Sequence, residues 1–86
     1  MNETINEKIS VVTVYDQVQG LVIPKKVKWQ GRVYEITKIG YHHKVKEGNK
    51  LLHIFAVSND SIAFRLRLDT DNLHWTLEEI SDGLAD

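Results

Sequence analysis

The 86-residue chain contains no cysteine, so neither a disulfide framework nor a thiolate metal site is available to hold it together. Only three alanines occur, Ala56, Ala63 and Ala85, against nine valines, eight isoleucines and five threonines. A helical domain of this size needs far more Ala, the best helix former, and far fewer β-branched residues, which lose rotamer freedom in helices. Long apolar runs are missing too: in the first thirty residues the longest is Leu21–Ile23. Neither a secretion signal nor a membrane span is expected, which leaves a reduced, soluble, cytoplasmic domain as the expectation. The chain suffices for one small domain that buries roughly two-thirds of its surface.

What is present is alternation. Ile9–Tyr15 alternates over a first strand, with Ile9, Val11, Thr13 and Tyr15 on one face and Val12 and Val14 on the other. Asp16–Gly20 turns the chain, and Pro24 suits an edge or a strand start because it cannot donate to a ladder. Gln30-Gly31 predicts a two-residue hairpin pairing Trp29 with Arg32, Val27 with Tyr34 and Lys26 with Glu35, with a bulge near Thr37-Lys38 and a strand reaching His42. His43–Lys50 then reads as a charged loop. A turn at Asn59-Asp60 pairs Val57 with Ile62, Phe55 with Phe64 and His53 with Leu66, and a turn at Asp69–Asn72 sets Trp75 opposite Leu66 and Leu77 opposite Phe64.

The expected fold is all-β: a five- to six-stranded antiparallel meander closing into a Src-homology-3-like or OB-like barrel. Residues 1–8 are expected to fray, 9–80 to form the barrel and 81–86 an acidic tail. Thr76-Leu77-Glu78-Glu79 matches a helix capping box, so a short helical turn is the alternative after about Glu78.

The run Pro24 to Ile36, with Trp29-x-Gly31-Arg32-x-Tyr34-x-Ile36, and the later Trp75-x-Leu77 resemble small uncharacterised bacterial domains. Their pattern is a Pro, then Trp-x-Gly-Arg-x-Tyr-x-Val and a closing Trp-x-Leu. The resemblance covers about a third of the chain and implies a nucleic-acid setting, since some members are encoded near translesion polymerase genes. It implies no activity, and His42-His43 and the acidic end depart from the pattern.

Net charge is only −1, but it is unevenly spread. Pro24–Lys50 holds eight basic residues against Glu35 and Glu47, whereas Asp60–Asp86 holds seven acidic residues against Arg65 and Arg67. Lysines interleaved with aromatic rings suit a phosphate backbone and a stacked base. The candidate nucleic-acid contacts are Lys26, Lys28, Arg32, Lys38, Lys44 and Lys46 for phosphates, with Tyr41 and His42 for stacking or hydrogen bonding. Lysines on outward strand positions also protect sheet edges from mispairing, which is the plainer explanation. A second candidate surface is the outer sheet face with Leu52, Ile54, Arg65, Arg67 and His74, suited to a protein partner or a second copy, unless another segment covers it.

No catalytic residue, metal or small-molecule cofactor is expected. There is no cysteine, no Gly-x-Ser-x-Gly and no phosphate-cradling glycine loop, and a barrel this small fills its own interior. His42 and His43 point to opposite faces of a strand, and Asp69-x-Asp71-Asn72 lacks the sixth-position glycine and twelfth-position acid of a calcium loop. The expectation is a non-catalytic binding module.

Overall fold

The computed structural model describes residues 2–82, and every regular element among them is a strand. β1 (Asn2–Asp16), β2 (Leu21–Trp29), β3 (Arg32–Glu35), β4 (Lys38–Glu47), β5 (Lys50–Ser58), β6 (Ile62–Asp69) and β7 (His74–Asp82) form one antiparallel sheet. Its order is β3-β2-β1-β7-β6-β5-β4. The all-β class is as expected; the strands number seven rather than five or six, and the sheet curls into a half-barrel whose edges are β3 and β4.

The curl originates in β1. Residues 2–9 pair with β7 and residues 10–16 with β2, so the strand leaves one neighbour as it takes the other. A register shift lies between Thr4 and Glu7, where Asn6 takes a φ of 54°, and another between Val12 and Thr13, where Lys25 of β2 is the extra residue. Bulges of this kind bend a strand and raise its twist. Residues 2–8, expected to fray, are therefore a paired half of β1. Ser81 and Asp82, expected in the tail, close β7 in place of any helical turn; residues 83–86 lie outside the described residues.

The core lies on the concave face: Val27, Phe55, Val57, Phe64, Leu66, Leu68, Trp75 and Leu77. Leu66 and Leu77 are direct cross-strand partners with no exposed surface, and each contributes about 1.5–3 kcal/mol by burial. The β2–β3 hairpin covers this face. Tyr34 sets its ring edge-on to Phe64 at 5.3 Å, and the Trp29 indole Nε1 donates to Glu7 Oε1 at 3.2 Å.

The β2–β3 register is the expected one, Trp29 with Arg32 through Lys26 with Glu35. Gln30 and Gly31 both have positive φ, 53° and 76°, the requirement of a type I′ turn. The next two hairpins are displaced by two positions from expectation. Val57 pairs with Phe64, Phe55 with Leu66 and His53 with Leu68; Trp75 pairs with Leu68 and Leu77 with Leu66. Each turn is centred one residue later than expected. In the first, Asn59 Oδ1 accepts the backbone N–H groups of Ser61 and Ile62, so Asn59 flanks the turn rather than forming its centre. In the second, Leu73 sits in the turn with a φ of 63°. A two-position shift preserves parity, so side chains keep their faces as far as Leu77; beyond it a bulge at Glu78 sets Glu79 opposite Arg65 and brings Ile80 onto the core opposite Phe64.

Two connections differ more. The expected bulge at Thr37-Lys38 is a break between strands: Ile36 N–H donates to Lys25 and Thr37 N–H to Ser58, carrying the chain from one edge of the sheet to the other. The expected charged loop His43–Lys50 is the second half of β4 plus a tight Gly48-Asn49 turn, with Glu47 opposite Lys50. Charged residues tolerate this position because β4 is an edge strand, where they are solvated on both flanks.

Candidate nucleic-acid interface on the β4 edge

The eight residues singled out for nucleic acid do not share one surface. Lys26 and Lys28 project outward from β2 opposite Glu35 and Val33, and Arg32 of β3 lies with its Cζ 5.7 Å from the centre of the Tyr34 ring. Lys28 lines an open cleft of about 720 Å³ with Lys8, Gln30 and His74, where β1 changes partners. Lys38, Tyr41, His42, Lys44 and Lys46 all stand on β4, with four strands between it and β2 in the sheet order. The contiguous basic segment is divided because the break at Ile36–Thr37 sends its halves to opposite edges.

β4 is ten residues of exposed edge strand, and alternation sorts its side chains onto two flanks. His42, Lys44 and Lys46 lie on the concave side, opposite Phe55, His53 and Leu51. Tyr41, His43 and Val45 lie on the convex side, opposite Ala56, Ile54 and Leu52, as does Lys38 opposite Ser58. Tyr41 and His42 therefore flank the edge rather than forming one stacking platform. The partner of Tyr41 is His43, with ring centres 5.2 Å apart and planes inclined by 21°.

The convex flank opens on a shallow cleft of about 400 Å³ lined by Lys38, Tyr41, Arg65 and Glu79 among others. The register changes there at Gly40, where a Cβ would stand 3.3 Å from the Ala56 carbonyl oxygen. Arg65 Nη1 donates to the Tyr41 hydroxyl at 3.1 Å and its Nε to Glu78 Oε1 at 2.9 Å; Arg67 Nη1 donates to Glu78 Oε2 at 3.0 Å. One carboxylate thus spans two guanidiniums, and Glu79, opposite Arg65, balances the second charge beside Tyr41.

The second expected surface takes a different form. Leu52 and Ile54 are each only 5% exposed, so they offer no apolar contact to a partner. In register they lie between Val45 and Asp69 and between His43 and Arg67, flanked on both sides by neighbouring strands. Arg65 and Arg67 are engaged by Glu78, and His74 stands exposed at the end of β7 opposite Asp69. Larger apolar exposure occurs elsewhere, at Val12, Val14, Tyr15, Val18 and Val33.

The concave flank holds what sequence reasoning missed. His53, expected opposite Leu66 as an isolated interior imidazole, lies opposite Leu68 and Lys44 and reaches diagonally to His42: His42 Nε2 and His53 Nδ1 are 2.7 Å apart. His42 stacks on Phe55, ring centres 4.5 Å apart. Burial, then Lys44 and His43, hold the His42 imidazole below its ordinary pKa; burial, then His42 and Lys44, do so for His53. The Glu47-Gly48-Asn49-Lys50 turn was the signal, because closing it sets Lys44 opposite His53 and His42 next along the diagonal. Among the described residues no group of three or more His, Cys, Asp or Glu side chains converges as metal ligands do. No family model, curated protein or solved structure matches the chain.

Proposed function

We propose that this domain is a non-catalytic, cytoplasmic module that binds the backbone of single-stranded nucleic acid along β4. The observation that carries this reading is the edge itself. An exposed ten-residue strand bears Lys38, Lys44 and Lys46, the stacked Tyr41–His43 pair, and one acidic residue, Glu47, at its far end. Lys44 and Lys46, two residues apart on one flank, stand about 6.7 Å apart along the strand and meet successive backbone charges. The exposed Tyr41–His43 face takes a base, because stacking tolerates any sequence. A strand of nucleic acid lying along a curled antiparallel sheet is the mode of small OB-like barrels, and we propose that kinship in preference to the Src-homology-3-like alternative.

Charge reversal tests the location. A fluorescent twelve-residue deoxythymidine oligonucleotide is titrated at 50 mM salt with wild type, with Lys44→Glu/Lys46→Glu, and with Lys26→Glu/Lys28→Glu. The β4 pair is expected to weaken binding more than tenfold and the β2 pair less than threefold. Wild-type affinity weaker than about 100 μM, the non-specific limit, overturns the proposal, as does an equal loss in both pairs.

A further inference from the structure

The His42–His53 contact has a geometry that limits its chemistry. The ring centres are 4.9 Å apart, the planes differ by 19°, and the facing nitrogens are 2.7 Å apart. These values put the rings edge to edge in nearly one plane, the arrangement of a direct N–H···N hydrogen bond. In the neutral pair one facing nitrogen donates and the other accepts, and the donor ring's outer nitrogen is bare. A first proton goes to that outer nitrogen and keeps the shared bond, now charge-assisted. A second must go to the accepting nitrogen, where it sets two N–H groups against each other and breaks the bond. The pair therefore takes one proton readily and resists the next, a coupled titration.

The surroundings are cationic or apolar. On β4 the neighbours are Lys44 on the same flank, with Lys46 beyond it, and His43 and Tyr41 on the other. β5 contributes Phe55 and Leu51, β6 Leu68 and Leu66, and β7 Trp75, which packs on Phe55. Across the concave face Glu7 of β1 is engaged by the Trp29 indole, and Arg32 of the covering hairpin lies over Tyr34. No carboxylate on β4, β5 or β6 faces the pair to hold a positive charge there. A phosphate on Lys44 supplies that missing counter-charge, and the newly protonated outer nitrogen becomes a donor to it.

We propose that His42 and His53 act together as a single-proton phosphate contact, so that the β4 edge takes up one proton when it binds a polyanion. This rests on the nucleic-acid reading of β4 and names how that site responds to pH. Linkage fixes the size of the effect: the logarithm of the association constant changes with pH by minus the number of protons taken up.

Two measurements test it. The first is titration of the histidine Cε1–H signals in the free wild-type protein, and of His42 in His53→Gln. Coupled midpoints are expected for His42 and His53, the second proton binding at distinctly lower pH than the first, with His42 titrating in a single step once His53 is gone; independent midpoints in the wild type overturn the pair. The second is binding of the twelve-residue oligonucleotide from pH 5 to 8 at constant salt, to wild type and to His42→Gln/His53→Gln, with thermal melting to show that the variant is folded. The wild-type slope is expected to exceed the variant's by about −1, up to tenfold in affinity per pH unit. A difference near zero overturns the proton uptake, and one near −2 shows two independent imidazoles. Coupled titration with no binding at any pH refutes the nucleic-acid reading and the linkage built on it, while leaving the shared proton established.

Discussion

Salt dependence is the sharpest consequence of the β4 edge. Each phosphate neutralised on a single strand contributes about −0.7 to the slope of log affinity against log salt. Lys38, Lys44 and Lys46 are free of carboxylate partners among the described residues, whereas Lys50 across the Gly48-Asn49 turn is held by Asp69 at 3.1 Å and adds no contact. Three contacts predict a slope of about −2.1, or roughly an eighteenfold loss of affinity between 50 and 200 mM salt. Lys44→Glu/Lys46→Glu leaves at most one contact, so its slope should be no steeper than about −0.7, a loss of less than threefold over the same range. Fluorescence anisotropy with the twelve-residue oligonucleotide at four salt concentrations yields both slopes. A wild-type slope shallower than about −1 refutes the phosphate count. A slope that β4 charge reversal leaves unchanged, but that Lys26→Glu/Lys28→Glu reduces, puts the contacts on the opposite edge.

Three further outcomes are expected. Leu73 has a φ of 63° in the Asp69–His74 turn and is 71% exposed, whereas Gly20, with a φ of 68°, holds the matching place in the Asp16–Leu21 turn. In both, the leading Asp Oδ1 accepts the N–H two residues on, and the left-handed residue donates to the leading carbonyl. Leu73→Gly removes that strain at little loss of burial and should stabilise by about 1 kcal/mol, raising Tm by about 5 °C; a lower Tm contradicts this. Leu77→Ala empties a fully buried site and should cost about 3 kcal/mol, lowering Tm by about 15 °C, with a loss under 1 kcal/mol in urea denaturation counting against the packing described. Because His42 and His53 are held below 6.5, the unfolded chain binds more protons than the folded one in mild acid. Their contribution is complete above about pH 6.5 and declines as pH falls through 6.5 towards their folded midpoints, so urea midpoints at pH 7.5 and 5.5 should differ less in His42→Gln/His53→Gln than in wild type.

Particular residues show how far the sequence could be read. Gln30-Gly31 was legible because a type I′ turn needs two positive φ values in succession and the alternation of Val27, Trp29, Tyr34 and Ile36 admits one register. The later turns were each misplaced by one residue because Asn59 acts through its side-chain oxygen and Leu73, an apolar residue read as strand, holds the left-handed position. Parity carried the inward assignment of Phe64, Leu66, Trp75 and Leu77 through both errors. The second half of β4 was hidden because solvated lysines on an edge strand look like those of a loop.

Composition and alternation alone determined that the chain is a sheet and which side chains of Val27–Ile36 and Leu51–Leu77 face its core, since both depend on neighbours one or two residues apart. Tertiary structure decided which edges exist and what meets across them. The break at Ile36–Thr37 divides one basic segment between opposite edges, and the diagonal contact of His42 with His53 follows from a pairing between strands. Both depend on where strands lie relative to one another in space, which local alternation does not encode.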